Sequence, residues 1–348
     1  MKRIKFKELT LIILVAILFF IIGNMANQLN IYASVKDYFS PLINTQKVEK
    51  TTENFLQETQ YGAYEISSLS LNKALLQDSE KPLKFLVTGH IYGNPYEEDL
   101  FHPATTLMTN IQIINQFELD MVVLLGDIVK ESTEENFSNF SQNFLSYFTI
   151  PVFNAVGNHD IENRDLYIEK FGKTNFSFLF KEHLFIFLDT NIETYSLTDN
   201  QLDFIEDTIS KSLGNNNVKS IHVFAHHVFF FENPNNSSSP YYRTNVSYSM
   251  DRNVEKFIYK FLIPLSRETP IFLYTGDVGA WCGNLSPYYR KYDGSKVTAI
   301  ATGIGNCEED SILIIEEINN EITLAVFSLL GKEMMTIDYY DDNYWKSR

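Results

Sequence analysis

Residues 151–160 read PVFNAVGNHD, an apolar run that ends abruptly in an amide, an imidazole and a carboxylate. The apolar residues 152–156 are typical of a buried strand, and Gly157 frees the backbone to turn directly after it. The side chains of Asn158, His159 and Asp160 are costly to bury without partners. Their position at the end of a buried strand therefore makes them candidates for a functional site.

Comparable runs recur along the chain and alternate with segments of helical spacing at residues 105–117, 135–148, 197–213 and 252–265. The runs are KFLVT (84–88), MVVLL (121–125), VFNAV (152–156), LFIFLD (184–189), IHVFA (221–225) and IFLYT (271–275). This alternation predicts an α/β body with buried strands. Thr198, followed by Asp199 and Gln201, predicts the start of one helix.

Three later runs, at residues 296–302, 311–317 and 321–327, have little helix between them and predict a more antiparallel sheet. The fold class that accommodates both halves is α/β, a two-sheet sandwich flanked by helices.

Polar groups follow five of the early strands, in most cases directly after a glycine. The residues concerned are His90, Asp127, Asn158, His159, Asp160, His226, His227 and Asp277. In open α/β sheets, sites form outside the carboxyl ends of the strands, so these side chains are expected to converge. Imidazole, carboxylate and amide oxygen are ligands for Mn, Fe or Zn. The sequence thus predicts a centre that binds a divalent metal.

The order of these motifs resembles that of the calcineurin-like metallophosphoesterases over about residues 82–330. That family carries D-x-H, G-D, G-N-H-D/E, an isolated His and G-H-x-H, each after a strand. GDIV (126–129), GNHD (157–160) and FAHHVF (224–229) match directly. The resemblance implies hydrolysis of a phosphomonoester or phosphodiester by a metal-activated hydroxide.

Carried over position by position, the resemblance makes Asp127 the carboxylate that bridges two metal ions. Asn158 and His226 would bind the second ion, and His90 the first. His227 is the alternative to His226, although the first histidine of such a pair is the usual ligand.

The catalytic roles implied by the resemblance fall on two consecutive residues. His159 would contact the phosphate and protonate the leaving group, and Asp160 would orient His159.

Two motifs depart from the family pattern. Thr88 stands where the first motif has Asp, and Gly279 stands where the last motif has its second His. Asp277 can replace the first His of that motif, because carboxylate oxygen binds the same ions. The expectation is one strong metal site and a second, weak one. Tyr92, Asn94 or Glu97 are nearby groups that could complete the weak site.

The N-terminus predicts a membrane anchor. Residues 1–8 are basic, and residues 9–27 are apolar and uncharged, close to the length of a membrane-spanning helix. The basic flank predicts a cytoplasmic N-terminus and an extracytoplasmic body at the cell membrane. A cleaved signal peptide is the alternative, although NMA and IYA are poor cleavage sites. Residues 28–81 are interpreted as a stalk and residues 82–348 as the phosphoesterase domain.

Charge and cysteine content narrow the possible partners. A net charge of −16 argues against nucleic-acid binding, which depends on Lys and Arg. The expected substrate is a phosphorylated small molecule, lipid or glycan. Cys282 and Cys307 are the only cysteines, and in an oxidising compartment they could form a disulfide, which their spacing does not establish. The alternative function is a catalytically degenerate binding or assembly factor in envelope or polysaccharide biogenesis.

Overall fold

The apolar runs of the sequence form the central strands of two mixed six-stranded sheets. The computed structural model describes residues 63–96, 103–193, 197–215, 217–228, 230, 254–283 and 285–347. The strands in these ranges are β1 Lys84–Thr88, β2 Met121–Leu124, β3 Val152–Asn154, β4 Phe176–Phe180, β5 His183–Phe187, β6 Ser220–Ala225, β7 Ile271–Thr275, β8 Tyr288–Lys291, β9 Val297–Ala301, β10 Ser311–Ile318, β11 Glu321–Ser328 and β12 Met334–Thr336.

The strand order explains how the motifs come together. The first sheet runs β12-β11-β10-β1-β2-β3, with β1, β2 and β3 parallel and β10 to β12 antiparallel. The second sheet runs β4-β5-β6-β7-β9-β8, with β5, β6, β7 and β9 parallel. The antiparallel arrangement predicted for the late strands is therefore correct for β10 and β11. The strand β9 belongs to the second sheet instead, where it is antiparallel to β8 and parallel to β7.

Helices cover both outer faces. Those described are α1 Ala63–Ser68, α2 Thr105–Met108, α3 Ile111–Ile114, α4 Glu134–Asn143, α5 Arg164–Phe171, α6 Asp199–Asn215, a π-type helix Val254–Leu262, α7 Ile263–Leu265 and α8 Asp342–Lys346, with 3₁₀ helices at Asn115–Phe117, Leu145–Tyr147 and Ile337–Tyr339. The α6 start follows the predicted pattern: Thr198 Oγ1 accepts from the Gln201 amide, and Gln201 Oε1 accepts from the Thr198 amide.

Three apolar clusters define the layers. One lies between the two sheets and contains aromatic side chains from both, including Phe85, Phe153, Phe185 and Phe224. The other two join each sheet to its covering helices. This is the predicted two-sheet sandwich flanked by helices.

The N-terminal predictions fall largely outside the described ranges. The predicted anchor at residues 9–27 is not among them, and within them no helix is long and apolar enough to cross a membrane. Residues 63–81 belong to the predicted stalk, and this part packs on the body: Ile66, Leu71 and Leu76 are buried, and the Leu71 amide donates to the Val152 carbonyl at 2.7 Å.

A chain of buried polar groups begins at the first residues of β5 and β6 and reaches Tyr274 on β7. Glu317 Oε2 is 3.4 Å from His183 Nε2, and His183 Nδ1 is 2.7 Å from Ser220 Oγ. Ser220 Oγ is also 2.7 Å from His222 Nε2, whose Nδ1 is 3.1 Å from the Tyr274 hydroxyl. Burial lowers the pKa of His183 and, more strongly, that of His222.

We expect this chain to make the protein less stable below neutral pH. Because the folded state disfavours protonation of His183 and His222, the unfolded state binds more protons as the pH falls below 6.5. The free energy of unfolding should fall by about 1 to 3 kcal/mol from pH 7.5 to 5.5. Urea unfolding at both pH values measures this loss, and His222→Phe should show a smaller one. An equal loss in that variant would assign the effect to other groups.

Candidate metal centre

The loops that follow β1, β2, β3, β6 and β7 bring their polar side chains to one place. Two positions in these loops have left-handed backbones that side chains other than Gly rarely adopt: His90 at φ 51° and Asp127 at φ 54°. Gly126 precedes Asp127 at φ 81°, and a Cβ there would collide with the His226 ring and the Gly157 amide. The Gly-Asp turn at residues 126–127 therefore requires glycine at position 126, because a larger residue would separate it from the loops that carry Gly157 and His226.

His226 lies at the middle of the cluster. Its Nδ1 donates to the Leu125 carbonyl at 2.7 Å, because a carbonyl can only accept, and this turns Nε2 toward the other loops. From Nε2, Asn158 Oδ1 lies at 3.2 Å, Asp127 Oδ2 at 3.5 Å and Asp277 Oδ1 at 3.9 Å. The predicted ligands Asp127, Asn158, His226 and Asp277 are thus adjacent.

These four residues fit a divalent ion. Ligands that share one ion with bonds of about 2.0–2.2 Å lie about 3–4 Å apart, which matches the observed spacings. The electrostatics agree: burial alone would lower the pKa of His226, but Asp127 and Asp277 raise it overall. Burial raises the pKa of Asp277 to about 6. The cluster therefore attracts positive charge at its centre.

His227 remains close enough to be considered as a ligand. Ligand atoms of His226, His227 and Asp277 all lie within 4.8 Å of one another. His227 Nδ1, however, is 2.7 Å from Thr190 Oγ1, and burial lowers the pKa of His227 well below its usual value. The geometry favours His226, because its Nε2 also faces Asp127 and Asn158.

The first-metal half is different. His90 Nε2 is 3.6 Å from Asp127 Oδ2, so the bridging position of Asp127 between His90 and His226 is present. Burial lowers the pKa of His90 to about 4. Thr88 is fully buried, and its hydroxyl makes no hydrogen bond within the described residues. Among the described residues of the metal-binding motifs, this half therefore has two donors, His90 and Asp127, and Glu97, which could complete it, lies outside the described ranges.

The backbone around Gly279, where the family pattern has its second histidine, leaves no room for a side chain. Gly279 has φ 78°, and a Cβ built there would lie 2.5 Å from the Gly303 carbonyl oxygen. A side chain at 279 would therefore strain the backbone and displace the loop that follows β9.

A Gly279→His variant is expected to bind no additional ion and to lose about 1–3 kcal/mol of unfolding free energy. Gly283→His is the matched control, because Gly283 has φ 80° but no atom within 4 Å of a built Cβ. Metal content and urea unfolding of both variants measure the difference. A gain of one ion in Gly279→His would show that the first-metal half is open.

His159 is held by backbone. Its Nδ1 donates to the Lys130 carbonyl at 2.7 Å and lies 3.4 Å from Glu162 Oε1, which leaves Nε2 for other partners. Its amide donates to Asp127 Oδ1 at 3.2 Å. His159 is thus fixed directly beside a predicted metal ligand.

Asp160 does not orient His159, and that predicted role is wrong. Its Oδ2 accepts from the amides of Asp127 (3.0 Å) and Gly157 (2.8 Å), and its Oδ1 accepts from the Ile128 amide (2.7 Å). Asn154 Nδ2 donates to Oδ2 as well, at 3.1 Å. Burial, followed by the charge of Asp127, raises the pKa of Asp160. Asp160 therefore ties the Gly-Asp turn to the GNHD turn.

Two hydrogen bonds that orient histidines of the site could not be predicted from the sequence, because one uses a backbone atom and the other joins distant loops. These are the Lys130 carbonyl at His159 and the Thr190 hydroxyl at His227. Tyr92, noted only as a nearby group, is 2% exposed and packs on the ring of His90. Burial, followed by the charges of Asp127 and Asp277, raises the pKa of the Tyr92 hydroxyl.

A disulfide fixes the loop that carries Asp277. Cys282 and Cys307 are bonded, with their Cα atoms 5.5 Å apart, and this joins the loop after β7 to the loop after β9. The pairing that spacing alone left open is therefore present.

The chain is similar to known proteins in sequence and in fold. The family model of the calcineurin-like phosphoesterases matches residues 83–262, more than half of the chain. A search of curated protein sequences returns no match. A dimetal phosphatase from Danio rerio superposes with a TM-score of 0.54 at 11% identity, covering 74% of this chain and 99% of its own.

A purple acid phosphatase from yellow lupin (Lupinus luteus) seeds superposes with a TM-score of 0.51 at 14% identity, covering 75% of this chain and 53% of its own. At such identities these likenesses show the fold. The match of the family model goes further, and the chain belongs to the calcineurin-like phosphoesterase family.

Proposed function

We propose that this protein is a metal-dependent phosphoesterase that hydrolyses a phosphomonoester or phosphodiester outside the cytoplasm. The observation that carries the proposal is the cluster around His226 Nε2, where three oxygen donors lie at 3.2, 3.5 and 3.9 Å. Asp127, Asn158, His226 and Asp277 would hold one ion of Mn, Fe or Zn. When bound, that ion would polarise a phosphoryl oxygen and acidify a water molecule.

His159 would protonate the leaving group. Because Nδ1 donates to the Lys130 carbonyl, the second proton of the imidazolium sits on Nε2. That proton would pass to the leaving oxygen as the P–O bond breaks. Glu162 Oε1 also lies 3.4 Å from Nδ1.

The proposed location is the cell membrane, with the body outside the cytoplasm and residues 9–27 as the anchor. The Cys282–Cys307 disulfide supports this location, because disulfides persist in oxidising compartments. The location is the reason to prefer phosphorylated lipid, glycan or other envelope compounds as substrates. The charge of −16 supports the absence of nucleic-acid partners.

The test combines metal content with turnover. Full-length protein, purified without chelators and supplied with Mn, Fe or Zn, should contain one ion per chain by plasma mass spectrometry. It should hydrolyse p-nitrophenyl phosphate or bis-p-nitrophenyl phosphate. Protein that binds no metal and is silent with both esters would defeat the proposal.

One observation favours a second candidate function. A side chain at Gly279 would collide with Gly303, and Thr88 offers no carboxylate, so the first-metal half lacks two of the donors in the family pattern. A protein with one intact half could be a binding or assembly factor in envelope or polysaccharide biogenesis. Metal binding without any turnover would favour that role.

A further inference from the structure

Tyr92 lies between two imidazoles of the metal centre. Its ring centroid is 4.4 Å from that of His90 and 5.3 Å from that of His159. Its amide faces the Asp127 carbonyl at 3.4 Å. Although Tyr92 is 2% exposed, it belongs to none of the three apolar clusters of the fold. The ring is therefore held by the site and not by the core.

The Tyr92 hydroxyl makes no hydrogen bond with any residue that the structure describes, and its oxygen is not among their fully buried unpaired atoms, so it is accessible to a ligand. Phenols inside proteins usually have a hydrogen-bond partner. Two other buried tyrosines show the usual situation. The Tyr167 hydroxyl accepts from Asn154 Nδ2 at 3.1 Å, and the Tyr274 hydroxyl is 3.1 Å from His222 Nδ1. Tyr92 thus brings an unused donor to the metal centre.

The surroundings of this hydroxyl indicate what it can bind. The Tyr92 ring lies between the imidazole of His90, a predicted metal ligand, and that of His159, the predicted acid. The centre contains three strong acceptor groups: the carboxylates of Asp127 and Asp277 and the Asn158 amide oxygen. A phosphoryl group also presents only acceptor oxygens, so a substrate there requires donors. Besides the ion and His159, Tyr92 supplies one.

We propose that the Tyr92 hydroxyl donates a hydrogen bond to a non-bridging oxygen of the substrate's phosphoryl group. This assignment rests on the proposed function and adds a substrate-binding residue to it. The donor is neutral, so it holds the phosphoryl oxygen without competing with the ion for the carboxylates. It also places the phosphoryl group beside His159, whose ring Tyr92 contacts edge-on.

The test is the affinity of the metal-loaded, full-length protein for inorganic orthophosphate, measured by calorimetry. Tyr92→Phe removes only the hydroxyl and should weaken orthophosphate binding about 10- to 100-fold, as expected for a hydrogen bond to a charged acceptor. Tyr96→Phe is the matched control on the same loop, because Tyr96 is 80% exposed. It should bind orthophosphate within twofold of wild type, and both variants should keep the wild-type metal content.

Each other outcome overturns the assignment in a distinguishable way. Unchanged orthophosphate affinity in Tyr92→Phe, with an active wild type, would defeat the role of Tyr92 and leave the proposed function standing. Loss of the ion in Tyr92→Phe would make the phenol a metal ligand instead. A wild-type protein that neither binds orthophosphate nor hydrolyses esters would end both proposals.

Discussion

An Asp127→Asn variant is expected to lose its metal ion and at least about a thousandfold in kcat/KM. Asp127 Oδ2 lies 3.5 Å from His226 Nε2 and 3.6 Å from His90 Nε2, so it is the oxygen shared by both halves of the centre. An amide keeps the shape of the side chain but removes the charge that attracts the cation. A thousandfold loss corresponds to about 4 kcal/mol of transition-state stabilisation, within the range a catalytic metal supplies.

The measurement is metal content by plasma mass spectrometry together with turnover of p-nitrophenyl phosphate. Asp120→Asn is the control, because Asp120 directly precedes β2 whereas Asp127 follows it, and Asp120 pairs with Lys181 at 2.7 Å. That variant should keep both metal and activity. If Asp127→Asn retained the ion and wild-type turnover, the centre would lie elsewhere in the chain.

Much of the fold could be predicted because the buried strands are short, apolar and regularly followed by polar turns. The run at 84–88 and the run at 271–275 coincide with β1 and β7, and both precede a glycine and a potential ligand. Parallel strands present their carboxyl ends at one edge of a sheet, which brings Asp127 near His90 in the first sheet and His226 near Asp277 in the second. The meeting of Asp127 and His226 also requires the two sheets to pack face to face. Local pattern and sheet geometry were sufficient for these elements.

Other elements depended on contacts that no local pattern contains. The helix predicted at 105–117 is broken near Asn110, whose side chain donates to the Thr106 carbonyl and to the distant Leu329 carbonyl. The strand β4, Phe176–Phe180, is not predicted from the sequence. It is formed by pairing with β5, and its aromatic side chains pack between the two sheets. Both features are set by tertiary packing.

At the site, too, some features follow from the local sequence and others depend on tertiary contacts. Residue types identified the ligands, but the roles of buried groups depend on which atoms they reach. Asp160 is next to His159 in sequence, yet its oxygens accept from the amides of the Gly-Asp turn, the Gly157 amide and the Asn154 side chain. The Lys130 carbonyl holds His159 instead. Likewise, Gly279 could be seen to lack a side chain, but its closure by Gly303 requires the folded loops.

The second large effect is expected at the His226–His227 pair, and it decides which histidine binds the ion. His226→Asn should lose the ion and about a thousandfold in kcat/KM, because its Nε2 faces Asn158, Asp127 and Asp277. His227→Asn should keep one ion per chain and lose less than about tenfold, an effect of the size seen when a supporting group is removed.

The comparison is sharp because the two residues are adjacent, equally buried and changed to the same side chain. Burial therefore does not distinguish the two variants, and their metal content measures the difference. The physical reason for asymmetry is the second nitrogen of each ring. Leu125 fixes Nδ1 of His226 with a carbonyl, which leaves Nε2 as a lone-pair donor toward the carboxylates, whereas Thr190 fixes Nδ1 of His227 in another direction. The reverse result, with the ion lost only in His227→Asn, would move the ligand by one residue and require the strand end after β6 to turn differently when metal binds.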